Sequence, residues 1–207
     1  MGNGNFRVYS KILVIFWVVF SDEKKWNCDG PDGFSSYWRD LRKEPRTFNK
    51  RGFGGGSLMT WAAITRFGKL SLVFVKGRMN SEAYQNLLTN NLLPLLQRFH
   101  RFKWRFQQEN ASIHSSASTR RWFIENNVEV LEWPARSPDL NIIENVWGLL
   151  ARDVYANARQ FDSVNQLREA IEAAWNRLSV EQIKKLYASC LLRMIAVIQR
   201  HGDITHY

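Results

Sequence analysis

Residues 12–20 form an unbroken run of nine apolar positions, which Ser21-Asp22-Glu23-Lys24-Lys25 ends abruptly. Its Val, Ile, Phe and Trp content is that of a strand buried on both faces. Arg7 and Lys11 precede it, as basic residues precede a signal peptide. The run is far shorter than the roughly 20 residues that cross a bilayer, and no small-residue cleavage site follows it. A buried central strand is therefore the expectation. The turn formers of Cys28-Asp-Gly-Pro-Asp-Gly33 predict a hairpin connection into a strand over 34–38. A polar, basic stretch over 39–53 and a bend at Gly54-Gly-Gly56 come next. Strands are expected over 57–65 and 70–75, joined by a turn at Phe67-Gly68-Lys69.

Downstream the period changes from two to 3.6. Tyr84, Leu87, Leu88, Leu92, Leu95 and Leu96 fall on one face of a long helix starting near Ser81. A strand over 104–108, a helix over 116–126 and a short strand over 128–132 follow. Trp133-Pro134 and Ser137-Pro138 make an extended loop. From Asn141 on the pattern is helical. Asn141 with Glu144, Ser163 with Gln166 and Ser179 with Gln182 each have capping-box spacing. No internal repeat, low-complexity tract or interdomain linker interrupts this order. It describes an α/β fold: a mixed sheet flanked by helices, with a helical C-terminal region.

Composition narrows the class. The chain has 207 residues, enough for one large domain, and 45% hydrophobic with 14% aromatic content excludes a disordered tail. The net charge of +10 points to a polyanionic partner, most often nucleic acid; a merely basic soluble protein is the ordinary alternative. Arg98, Arg101, Lys103 and Arg105, with His100, cluster in sequence without an intervening acid, and Arg120 and Arg121 add to them. These cations are the candidate phosphate contacts. Trp17, Trp61 and Trp175 lie in apolar patterns and are assigned to the core. Cys28 and Cys190 lack metal-ligand spacing and are expected as buried or free thiols.

Three carboxylates carry the candidate chemistry. Asp22 is expected just past the end of the first strand, Glu109 past the strand over 104–106, and Glu144 at the third helical position after Asn141. Each has a plainer reading: a turn Asp, a solvated Glu, and a helix-capping Glu. Brought together they would suit Mg²⁺, which takes oxygen ligands at about 2.0–2.1 Å and keeps some waters. Two such ions roughly 3.5–4 Å apart activate a water or a 3′-hydroxyl and stabilise the leaving oxygen.

The words around these acids are Phe20-Ser-Asp-Glu-Lys-Lys25, Gly54-Gly-Gly-Ser-Leu-Met-Thr-Trp61, Phe106-Gln-Gln-Glu-Asn-Ala-Ser-Ile-His114 and Trp133-Pro-Ala-Arg-Ser-Pro-Asp-Leu-Asn141, continuing to Glu144-Asn-Val-Trp147. Together they resemble the catalytic domain of the Tc/mariner superfamily, a branch of the DDE/D polynucleotidyl transferases. Asp29-Gly-Pro-Asp-Gly33 and Tyr37-Trp-Arg-Asp-Leu-Arg-Lys-Glu-Pro45 extend the likeness to the nematode Tc-type members. The resemblance implies an RNase H-like fold, with Asp22, Glu109 and Glu144 as catalytic ligands of two Mg²⁺ or Mn²⁺ ions. The family's separation of 34 residues between second and third acids is kept. His114 matches a family His and, with Asn110 and Asn141, is expected to support the acids. The implied reaction is phosphodiester cleavage and strand transfer, in the nucleus, on transposon ends and target DNA. A homodimer is the candidate assembly; no membrane and no small-molecule cofactor are expected.

Departures from the family pattern temper this. Glu109 replaces an Asp, and Ile142 stands where Pro usually follows the Asn. Residues 1–17 form an atypical segment leading into the first strand, 18–207 the catalytic domain, and the family's N-terminal helix-turn-helix region is expected to be absent. A truncated transposase is the resulting expectation. The alternative is a catalytically inactive relic with residual non-specific DNA binding.

Overall fold

A computed structural model describes residues 15–31, 56–131 and 140–199. The expected strand over 34–38, the basic stretch over 39–53 and the proline loop over 133–138 lie outside the described residues. A four-stranded sheet forms the centre, in the order β3-β2-β1-β4. Its strands are β1 (Val18–Asn27), β2 (Ser57–Thr65), β3 (Gly68–Val75) and β4 (Arg105–Gln107). β1 runs antiparallel to β2, from Phe20↔Ile64 to Asn27↔Ser57, and parallel to β4, from Val18↔Arg105 to Phe20↔Gln107. β2 and β3 form the expected hairpin.

The first strand is central, as expected, but displaced along the chain. Ile15–Trp17 is a 3-10 turn, and the strand begins at Val18 and continues through Ser21-Asp22-Glu23-Lys24-Lys25 to Asn27. Asp22 is therefore inside β1, not past its end. Ladder hydrogen bonds belong to the backbone and do not require apolar side chains, so β2 holds the polar half of β1 in register. Pairing with β4, however, stops at Phe20. Asp22 lies just past the end of the parallel pair, where α/β sheets collect ligands.

Other boundaries also shift. The long helix expected from Ser81 is two helices, α1 (Ser81–Asn91) and α2 (Leu93–Arg98). Pro94 lacks the N–H that would continue the ladder, and Leu92 closes the first helix by donating to Leu88 O at 2.8 Å. Among the described residues of the strand expected over 128–132, one parallel bridge forms, Phe106↔Val130. β4 is only three residues long and offers no more edge.

The remaining helices are α3 (Ala117–Glu125), α4 (Ile142–Val154), α5 (Val164–Arg177) and α6 (Val180–Gln199). Ser179 and Gln182 form a reciprocal capping box, at 3.2 and 2.9 Å. Ser163 Oγ accepts from Gln166 N at 3.2 Å. Asn141 occupies the N-cap of α4 but its side chain makes no cap bond, so the box expected with Glu144 does not form.

Side-chain alternation divides the core into two layers. Val18, Phe20 and Trp26 of β1 face α4, α5 and α6, packing with Ile142, Val146, Trp147, Ile171 and Ile183. Ile142, in the position of the family Pro, is wholly buried. Val19 of β1 and Trp61 of β2 face α1 and α3, packing with Tyr84, Leu88 and Phe123. Tyr187 fastens α6 to the sheet by donating to Val18 O at 2.8 Å. Trp61 and Trp175 are core residues, as expected. Trp17 is half-buried and stacks on Phe102 with ring centroids 4.0 Å apart. Cys28 and Cys190 are free and buried. Among the described residues no helix is long and apolar enough to cross a membrane.

Candidate metal centre

Alternation along β1 points Asp22 toward α4 and Glu23 toward the opposite layer. Glu109 follows β4 by two residues, and Glu144 sits in the first turn of α4. β1 and β4 are neighbours, so these positions converge. Carboxylate oxygens of Asp22, Glu109 and Glu144 all lie within 4.8 Å of one another. Asp22 is buried at 6% exposure, whereas Glu109 and Glu144 are exposed. The site thus has a fixed floor and two acids at an open mouth.

Trp147, three residues after Glu144 on the same helix, donates its indole N–H to Asp22 Oδ2 at 2.9 Å. Burial and the like charges of Glu144, Glu109 and Glu23 push Asp22 up to about 8. Burial, then Glu144 and Glu23, also raise Glu109, against a lowering by His114. A hard divalent cation bound there would relieve such crowding. All three donors are carboxylate oxygens, the ligand type Mg²⁺ and Mn²⁺ prefer, and they leave positions for water or substrate.

His114 is buried and belongs to the loop rather than to the carboxylates. Its Nδ1 lies 2.9 Å from the backbone oxygen of Glu109 and Nε2 lies 3.2 Å from Glu23 Oε1. The first contact requires the proton on Nδ1, an assignment made from the carbonyl acceptor. The second is an ion pair whose direction falls short of hydrogen-bond geometry, and neither atom has another hydrogen-bond partner. Burial disfavours the imidazolium, but the contacts with Glu23 and Glu109 outweigh it and the basicity is raised. The Tyr84 ring packs on the imidazole at 4.3 Å, and its hydroxyl donates to Gln108 Oε1 at 2.7 Å. Gln108 in turn donates to His114 O at 3.3 Å. The loop carrying Glu109 is thereby pinned to β1 and α1. Asn110 is exposed and makes no hydrogen bond to the acids; Asn141 is buried with both side-chain polar atoms unpartnered.

The cations do not form one patch. Arg98, Arg101 and Lys103 are exposed between α2 and β4, at the amino end of the parallel strands, opposite the acids. Arg105 is paired with Glu129 at 2.6 Å, an acid the local sequence did not reveal. Arg120 and Arg121 are exposed on α3, after the Glu109 loop, and Arg120 Nε donates to Ser115 O at 2.8 Å. Sequence reasoning gave Trp147 and Glu23 no role at the site and placed Tyr84 only on the apolar face of a helix. For Trp147 a signal existed: the three-residue spacing from Glu144 puts both on one helix face.

The family model described as DDE superfamily endonuclease matches residues 17–168. The Tc3 transposase of Caenorhabditis elegans is 50% identical over 190 residues, covering 92% of this chain and 58% of that protein. The Tc1 transposase of the same organism is 35% identical over 195 residues, covering 91% of this chain and 70% of that protein. The chain thus spans little more than half the length of the Tc3 transposase. A crystal structure of the Mos1 mariner paired end complex with Mn superposes with a TM-score of 0.77 at 20% identity, over 98% of this chain and 61% of that one. That match establishes the RNase H-like fold. With a family match over most of its length and close sequence relatives among the nematode elements, the chain belongs to the DDE superfamily endonucleases, as a catalytic domain of the Tc/mariner transposase type.

Proposed function

We propose that this chain performs metal-dependent phosphodiester cleavage and strand transfer on DNA, with Asp22, Glu109 and Glu144 as the catalytic carboxylates. The convergence of their oxygens within 4.8 Å carries the proposal. Asp22 is the rigid ligand, and Glu109 and Glu144 complete a set that would hold two Mg²⁺ or Mn²⁺ ions. When bound, such ions activate the attacking oxygen and stabilise the leaving one. His114 holds the Glu109 loop, and Asn141 starts the helix that delivers Glu144. Arg120 and Arg121 approach the DNA near the scissile bond, while Arg98, Arg101 and Lys103 contact phosphates farther along it.

Family membership supports transposon ends and target DNA as substrates, action in the nucleus and a homodimer. The catalytic unit is assigned to 18–207, with 1–17 leading into it. A second reading, an inactive relic that still binds DNA, is favoured by Glu109. Its longer side chain reaches the cluster, but misplacing a reacting group by about 1 Å can lower a rate roughly 10²-fold.

Joining of pre-nicked element-end DNA in Mn²⁺ tests both readings. The expected result is weak joining, increased on the order of 10²-fold in Glu109→Asp and abolished in both backgrounds by Asp22→Ala. No joining by Glu109→Asp supports the relic. Joining that survives Asp22→Ala overturns the assignment of the acids.

A further inference from the structure

We propose that Trp147 is a positioning residue for the metal centre: its indole N–H commits one oxygen of Asp22 and so fixes the orientation in which that carboxylate meets the cation. The proposal rests on Asp22 being a cation ligand. The bond is 2.9 Å between two buried residues, Trp147 at 2% and Asp22 at 6% exposure. An indole has a single donor and no acceptor, so this geometry gives the carboxylate one fixed partner on its inner side.

The indole is itself held. Its ring meets Trp26 edge-on at 6.1 Å and 83°. Trp26 lies four residues beyond Asp22 on the same face of β1, and its own N–H donates to Thr60 Oγ1 at 2.8 Å. Thr60 donates back to Lys24 O at 3.2 Å. The clamp is therefore anchored to β1, which carries Asp22, and to its partner strand β2. Glu144, a proposed ligand, is three residues before Trp147, so one surface of α4 presents both a ligand and the clamp on another ligand. Any shift of α4 against β1 would change both together. Glu109 and Glu144 are exposed and can adjust to a cation; Asp22 is the one acid whose orientation the protein sets in advance.

A solely structural role would equally satisfy a buried indole, and metal binding separates the two. Mn²⁺ affinity is measured by the electron paramagnetic resonance of free Mn²⁺ for the full chain, Trp147→Phe and Asp22→Asn. Trp147→Phe keeps an aromatic ring and removes the donor; its expected effect is affinity weaker by about 10- to 100-fold. Unchanged affinity in a folded Trp147→Phe, with binding lost in Asp22→Asn, overturns the clamp and leaves the metal centre standing. Equal affinity of the unmodified chain and Asp22→Asn overturns both. The nine indole N–H resonances of the ¹⁵N-labelled chain supply a second readout that does not depend on Trp147→Phe folding. One resonance is expected to move on Mg²⁺ addition, and the same one to shift in Asp22→Asn. If Mg²⁺ moves none of them, the clamp is overturned.

Discussion

Asp22 is the residue on which most forces meet. Burial and three neighbouring acids push it from an ordinary 3.8 to about 8. Between these values the unfolded chain has already released the proton while the folded chain still holds it. The unfolded state then binds fewer protons, so stability falls as pH rises through that window. In metal-free buffer the melting temperature should accordingly decline from about pH 4 to about pH 8, and Asp22→Asn should flatten the decline; calorimetry across the range checks this. On the other face of the same strand, Glu23 supports the imidazolium of His114. The two adjacent acids thus face different ways, one into the cluster with Glu109 and Glu144 and one toward the loop of Glu109.

At the scale of elements, three helix starts with the same sequence spacing behave differently. Ser179 and Gln182 close a full capping box. Gln166 reaches back to Asp162 N, one residue before its cap Ser163. Asn141 makes no side-chain cap bond, and Glu144 belongs to the acidic cluster instead. Ser179→Ala should lower unfolding free energy by about 1 kcal/mol, the ordinary value of an N-cap. Asn141→Ala should lower it by less, because no cap bond is lost. Denaturant unfolding of the two variants under identical conditions compares them directly, and an equal or larger loss for Asn141→Ala would contradict the observed cap geometry.

For the whole molecule, the described cations of the 98–103 segment stand apart from the acidic cluster. The net charge is +10, yet Arg98, Arg101 and Lys103 lie at one end of the parallel strands and the acids at the other. Neutralised phosphates release counterions, so DNA affinity should be weak, insensitive to sequence and steeply reduced by salt. Changing Arg101 and Lys103 together to Gln should reduce the slope of log affinity against log salt by about 2 and leave Mn²⁺ affinity unaltered. Titrations at several salt concentrations measure the slope; a change in Mn²⁺ affinity would show that the two ends are coupled.

The features legible in the sequence are those with local causes. Turn formers and alternation marked the β2–β3 hairpin, and Ser116, Ser163 and Ser179 marked helix starts, because caps and turns are made by residues a few positions apart. Pro94 is an equally local cause, but the apolar spacing across it led to the expectation of one helix where there are two. The order of the acids and the words around them identified the family. What only the tertiary structure decided depends on which segments meet. β1 passes through Asp22 because β2 supplies its backbone partners, whatever the polarity of the side chains. The indole bonded to Asp22 comes from 125 residues away, and Arg105 meets Glu129 because the segment after α3 returns beside β4. No window along the chain contains both members of such a pair. Sheet order and helix docking bring them within bonding distance, and those are properties of the packed molecule.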